Sequence, residues 1–114
     1  MKRSIAVAVG LTLLAGAGAQ AKGKYDQGAS DSEILLGNIV PYSGPASVYS
    51  VYGKVFEGYF KRLNEHGGIN GRKIRMISYD DAYSPPKTVE QARRLVESDG
   101  VLFLFGVVGT PTNV

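Results

Sequence analysis

The chain has 114 residues, 13 Lys and Arg against 10 Asp and Glu, 44% hydrophobic and 20% charged residues, and neither cysteine nor tryptophan. That is one small domain at most, of ordinary globular composition, which excludes a disordered tail or a collagen-like repeat. Without cysteine, disulfide frameworks, thiolate zinc sites and cysteine nucleophiles are excluded together.

Residues 1–21 have the layout of an export signal. Lys2 and Arg3 form a basic start, and Ile5 to Ala15 is an apolar run too short to span a bilayer as a helix. Ala19-Gln20-Ala21 then supplies the small-x-small pattern of a cleavage site, with Ala17-Gly18-Ala19 as the earlier alternative. Removing Lys2 and Arg3 leaves eleven basic against ten acidic residues. With no basic run longer than two, a phosphate backbone has nothing to bind, so nucleic acid is not an expected partner. Residues 22–32 (KGKYDQGASDS) are polar and aperiodic and read as a flexible leader before the fold.

Glu33 to Val40 (EILLGNIV) is a short apolar run suited to a strand buried on both faces, stopped at Pro41 and followed by the turn-rich Tyr42 to Ser47. From Tyr49 to His66, Tyr52, Val55, Phe56, Tyr59, Phe60 and Leu63 recur at helical spacing and predict one core-facing stripe, ended by Gly67-Gly68. His66, the single histidine, sits where a favourable interaction with the helix dipole is its plain role. Asn70-Gly71 turns the chain into a second strand, Arg72 to Tyr79, which Asp80-Asp81 ends. Ser84-Pro85-Pro86 predicts an N-cap and first helical turn, with Val89, Ala92, Leu95 and Val96 as the buried stripe and Gly100 as the stop. Val101 to Phe105 (VLFLF) predicts a third strand covered on both faces, and Gly106 to Asn113 a loop of small and hydroxyl residues.

Strand, helix, strand, helix, strand with right-handed crossovers predicts an α/β fold, the βαβαβ start of a doubly wound parallel sheet. With the first strand between the other two, a ligand crevice opens at the carboxyl ends of the first and third strands, between Pro41 to Ser47 and Gly106 to Asn113. A sheet ending at its third strand leaves apolar faces uncovered, so the chain is expected to be an incomplete copy of a longer protein.

Three segments carry a resemblance: Ile39-Val40-Pro41-Tyr42-Ser43-Gly44-Pro45, Asn64 to Ile74 (NEHGGINGRKI) and Tyr79 to Pro85 (YDDAYSP). Together they resemble the leucine/isoleucine/valine-binding family of type I periplasmic solute-binding proteins, across nearly all of Glu33 to Val114. The chain departs from the family pattern at Tyr49-Ser50, where members often have glycine after an aromatic residue. The resemblance implies the first part of the N-terminal lobe, over residues 33–114, of a two-lobed periplasmic protein. Such a protein closes on a small carboxylate-bearing solute, such as an amino acid, and delivers it to an ABC-type permease. It implies no enzyme activity and no cofactor. Thr110 matches the family's hydroxyl donor to the ligand carboxylate, Tyr49 its aromatic residue after the first loop, and Thr112 matches neither. Backbone N–H groups around Gly109, with Tyr42, Ser43 and Tyr83, complete the expected ligand-binding set, a hydroxyl and N–H groups for the carboxylate and tyrosine faces for apolar contact.

Each residue also has a plainer reading. Thr110 before Pro111 suits a turn or cap, Tyr42 and Tyr83 suit shielding of the sheet, and Asp80-Asp81 suits bonding of loop backbone rather than a metal. Gly106-Val107-Val108-Gly109-Thr110 lacks the lysine of a P-loop. A receptor's ligand-sensing domain, or a piece of an exported α/β enzyme, remains as an alternative function. Export predicts that N-terminal sequencing of the secreted protein starts at Lys22; a cytoplasmic protein starting at Met1 would overturn both the location and the transport reading.

Overall fold

In the computed structural model, which describes residues 24–114, the chain forms β1 (Glu33–Val40), α1 (Ser50–Glu65), β2 (Lys73–Asp80), α2 (Pro85–Arg93) and β3 (Phe103–Leu104). A 3₁₀ turn, Ser47–Tyr49, leads into α1, and a π-helical turn, Arg94–Ser98, continues α2. The export signal expected over residues 1–21 lies outside the described residues.

β1 pairs in parallel with β2 along its whole length, from Glu33 opposite Lys73 to Val40 opposite Asp80. On its other edge it pairs with β3 through Leu36 opposite Phe103 and Gly37 opposite Leu104. The order β2-β1-β3 is the expected one, with the first strand in the centre. Alternation along β1 sends Leu35 and Ile39 to one face, with Leu95 and Val101, and Leu36 to the other, with Phe60 and Ile74. Gly37 leaves room on the first face, where an added Cβ would lie 2.9 Å from Leu104 and 3.1 Å from Leu95.

The helices cover the sheet more narrowly than their patterns predict. On α1, Gly53 and Phe60 are buried and Phe56 and Leu63 half-buried, with Phe56 and Phe60 edge-on to Phe105 at 5.0 and 5.6 Å. Tyr52, Val55 and Tyr59 of the expected core stripe are exposed instead, because the sheet beneath covers only a narrow arc of the helix. On α2 and the π-helical turn that continues it, the inward side is Thr88, Ala92 and Leu95, and Val89 and Val96 face out. Nor is β3 covered on both faces: it is an edge strand, and Phe103 is 50% exposed. Ser84 does hold the N-cap position before Pro85, but its hydroxyl makes no capping bond.

Two segments are tied down by hydrogen bonds that leave no hydrophobic pattern in the sequence. Between α1 and β2, Ile69 and Arg72 exchange both backbone bonds (2.8 and 2.9 Å) across Asn70-Gly71, which both have positive φ (49° and 77°). Asn64 then pairs with the free edge of β2, accepting from the Ile74 N–H at 2.8 Å and donating to its carbonyl at 2.7 Å. The stretch before β1, expected as a flexible leader, is part of the fold from Gln27 onward. Gln27 Nε2 donates to the Val96 carbonyl at 2.7 Å, Leu35 N–H to Gly28 at 2.7 Å and Lys73 N–H to Ser32 at 2.8 Å. Its polar residues gave no hydrophobic signal because the attachment is made by hydrogen bonds.

Gly37→Val should destabilise by about 1–3 kcal/mol through overpacking. Gly58→Ala, whose added methyl meets nothing within 4 Å on α1, should stabilise by up to about 1 kcal/mol. Chemical denaturation of both variants checks the pair of opposite signs.

Candidate functional site

The carboxyl ends of β1, β2 and β3 lie side by side, and the chain leaving each is held differently. After β1, the loop is clamped by Asp80. Its Oδ1 accepts from the N–H groups of Tyr42 (2.8 Å), Ser43 (3.1 Å) and Ala82 (2.9 Å), and its Oδ2 from the Ser43 hydroxyl. Burial pushes the Asp80 carboxyl up, but the Ser43 hydroxyl and the three N–H groups more than offset it, leaving its pKa below the ordinary value. The acidic pair therefore bonds loop backbone, as its plainer reading has it. Asp80 anchors one of the two loops expected to flank the crevice.

After β2, the chain turns through two consecutive non-glycine residues of positive φ, Ala82 (50°) and Tyr83 (61°). Such a conformation costs of order 1–2 kcal/mol per residue and has to be held in place. Fully buried Asp81 holds it, accepting from the Tyr83 N–H at 2.9 Å through Oδ1 and from the Thr88 hydroxyl at 2.6 Å through Oδ2. After β3, Thr112 folds the loop back on itself, its hydroxyl lying 2.9 Å from the Val108 carbonyl and 3.0 Å from that of Gly109.

These turns enclose an open hollow of about 500 Å³ lined by Tyr49, Tyr52, Tyr83, Val107, Val108, Gly109, Thr110 and Asn113. Tyr49 stacks between Tyr52 and Tyr83, at ring-centroid distances of 6.3 and 6.4 Å. Gly109, at φ 122°, lies against the Tyr83 ring, where an added Cβ would come within 2.6 Å of Cε2. Thr110 is exposed at the rim, and no hydrogen bond among the described residues uses its hydroxyl.

Of the expected ligand-binding residues, the fold brings Tyr49, Tyr83, Gly109 and Thr110 together. Tyr42 and Ser43 do not line the hollow. The Tyr42 hydroxyl turns inward and lies 2.6 Å from Ser78 Oγ, and Ser43 is engaged with Asp80. Tyr52 and Asn113 join the lining without a sequence signal for it: the spacing of Tyr52 predicts a core position on α1, and a lone asparagine near a turn carries no pattern. The hollow belongs to the carboxyl end of a parallel sheet, at the switch between crossovers in opposite directions, where doubly wound folds take their ligands.

The profile of the periplasmic binding protein family matches residues 33–113. The chain belongs to the periplasmic binding protein family. It is 35% identical over 80 residues to Leu/Ile/Val-binding protein homolog 1 of Brucella abortus (strain 2308), a match covering 69% of this chain and 21% of that protein. Among solved structures it resembles the fatty acid ABC transporter substrate-binding protein from Thermomonospora curvata (TM-score 0.67, 27% identity, 78% of this chain and 23% of that one). It also resembles an ABC transporter solute-binding protein from R. palustris in complex with benzoate (TM-score 0.59, 28% identity, 71% of this chain and 22% of that one). The chain thus spans about a fifth of the length of the curated relatives it matches. These relatives are binding proteins for small solutes.

Because the Asp80 value is depressed on folding, the stability it contributes is fully present above the unfolded value near 3.8 and is lost as pH falls through the lower folded value. Denaturation of the wild type between pH ~5 and ~2 should show this acid loss. Asp80→Asn should flatten it, and an unchanged acid limb in that variant would remove Asp80 as its source.

Proposed function

We propose that this chain is the first part of the N-terminal lobe of a two-lobed extracytoplasmic protein. It captures a small carboxylate-bearing solute, such as an amino acid, and delivers it to an ABC-type permease in the inner membrane. The observation that carries this reading is the hollow, in which a free threonine hydroxyl and the Gly109 backbone stand beside a row of three stacked tyrosines. A hydroxyl donor suits a carboxylate oxygen, and tyrosine faces suit the apolar remainder of the solute. The named ligands of the relatives are of one chemical kind in one respect: Leu, Ile and Val, fatty acid and benzoate all bear a carboxylate. Two further features support the reading. The hollow is open, so that closure by a second lobe would remove water from the solute and strengthen each polar contact. Residues 1–21 have the composition of an export segment, in keeping with a periplasmic location.

The lining offers hydroxyl, amide and apolar groups, which are suited to holding a solute rather than transforming it. Thr110, Gly109, Tyr49 and Tyr83 are the proposed contacts, with Tyr52 as an additional face. Tyr42 and Ser43 are assigned to holding the first loop.

In the full-length protein with both lobes, Thr110→Val should weaken binding of the captured carboxylate by about 10- to 150-fold, the equivalent of about 1.5–3 kcal/mol for a lost bond to a charged acceptor. Melting of the ligand-free protein should barely move, and Thr110→Ser should retain most of the affinity. Thr112→Val is not a neutral control, because that hydroxyl holds the loop. Calorimetric titration with L-leucine and with benzoate is the measurement. Unchanged affinity in Thr110→Val would take Thr110 out of the site, and failure of a panel of amino, fatty and aromatic acids to bind at all would overturn the function.

A further inference from the structure

We infer that Asn38 and Ser78 are positioning residues of the solute site: with Tyr42 they form a one-directional hydrogen-bond relay that holds the segment carrying Gly109 and Thr110. The consequence for binding rests on the solute-site reading of the hollow, whereas the relay itself stands on geometry.

Asn38 points from the centre of β1 toward the α1 side of the sheet and is fully buried. Its Nδ2 donates to two successive carbonyls where the chain leaves β3, those of Phe105 at 2.7 Å and Gly106 at 2.9 Å. Both amide hydrogens are thereby used, and the orientation of the amide is settled, since reversing it would set an oxygen against two carbonyls. Oδ1 then faces Ser78 on β2, whose hydroxyl donates to it at 2.7 Å. A serine has one hydroxyl proton, so the Tyr42 hydroxyl, 2.6 Å from Ser78 Oγ, is the donor at that link. The chain therefore runs Tyr42 to Ser78 to Asn38 to the Phe105 and Gly106 carbonyls, with every proton committed.

The relay begins in the loop after β1, crosses β2 and β1, and ends immediately before the loop that lines the hollow. Its mechanical weight follows from how few backbone bonds tie that loop to the sheet. The β1–β3 ladder is two residues long, extended by single backbone bonds from Phe105 to Gly37 (2.7 Å) and Val108 to Ile39 (3.0 Å). Two side-chain bonds from a buried amide are a large addition to so short a ladder, and a fully satisfied buried network specifies one arrangement. Gly53 completes the device: an added Cβ at this position of α1 would overlap the Tyr42 hydroxyl, so only glycine leaves the ring its path to Ser78.

The test uses the full-length protein with Ser78→Ala and Tyr42→Phe, neither of which touches the hollow; Asn38→Leu is avoided as the first variant because it could fail to fold. Hydrogen–deuterium exchange of the ligand-free protein should speed up about 2- to 30-fold across residues 105–113 in both variants, the range for network mutations, while α1 keeps its wild-type rate. L-leucine affinity should fall by a similar factor. The loss from Ser78→Ala should be less than multiplicative with that from Thr110→Val, since both act through one loop. Unchanged exchange over residues 105–113, or an equal rise in α1, would overturn the relay, because a general loss of stability has no preference for that segment. A loosened loop with unchanged affinity would overturn the positioning role. Failure of L-leucine to bind the unaltered protein would count against the amino-acid reading alone, and the exchange result would still decide the relay.

Discussion

The structure depends on one strand being buried on both faces while paired on both edges. β1 is covered from Leu35 to Val40 and carries Leu35 and Ile39 toward one helix layer and Leu36 toward the other. A strand in that position has no solvent side, so each neighbour must arrive by a crossover, one helix on each face. The crossover through α1 runs from β1 outward to β2, and that through α2 runs back from β2 past β1 to β3, so a hollow can open at the carboxyl end of β1, between it and β3.

What holds the rim of that hollow is polar rather than apolar. Asp80 gathers three backbone N–H groups and a hydroxyl from two loops, and Asp81 with Thr88 holds a turn of positive φ that sets Tyr83 beside Tyr49 and Gly109. Carboxylates that accept several bonds from one stretch of backbone impose its conformation, where apolar packing would allow several. The two adjacent acids thus have distinct duties, one clamping the loop after β1 and the other shaping the turn after β2.

The run NEHGGINGRKI likewise divides into physical tasks. Asn64 stands in for a missing strand partner on the edge of β2, Asn70-Gly71 supplies a turn that needs two positive φ angles, and the carbonyl of Arg72 lies so close to Gly68 that no side chain fits there. His66 bonds the Arg62 carbonyl with its Nδ1 at 2.8 Å, a C-terminal task in keeping with its place at the end of α1.

The order and kind of the elements, the central place of β1 and the crevice between strand ends were determined by the sequence alone. Short apolar runs, helical spacing and turn residues are local signals that survive without knowledge of what packs where. Topology alone brings the loop carrying Gly109 and Thr110 to the carboxyl end of the sheet, whereas the parts given to Thr110 and Tyr49 are what the family resemblance implies, and Tyr83 lies outside the two loops that topology names. Only the tertiary structure decided which apolar residues are buried: Tyr52, Val55 and Tyr59 share a helical periodicity with Phe56 and Phe60 but lie beyond the arc that the sheet covers. It also decided that Tyr42 turns inward to Ser78 while Tyr49 and Tyr52 line the hollow, and that Gln27 to Ser32 belong to the fold. Periodicity reports which way a side chain leaves its own element, whereas burial and hydrogen-bond partners depend on residues distant in the sequence, which meet only when the chain has folded.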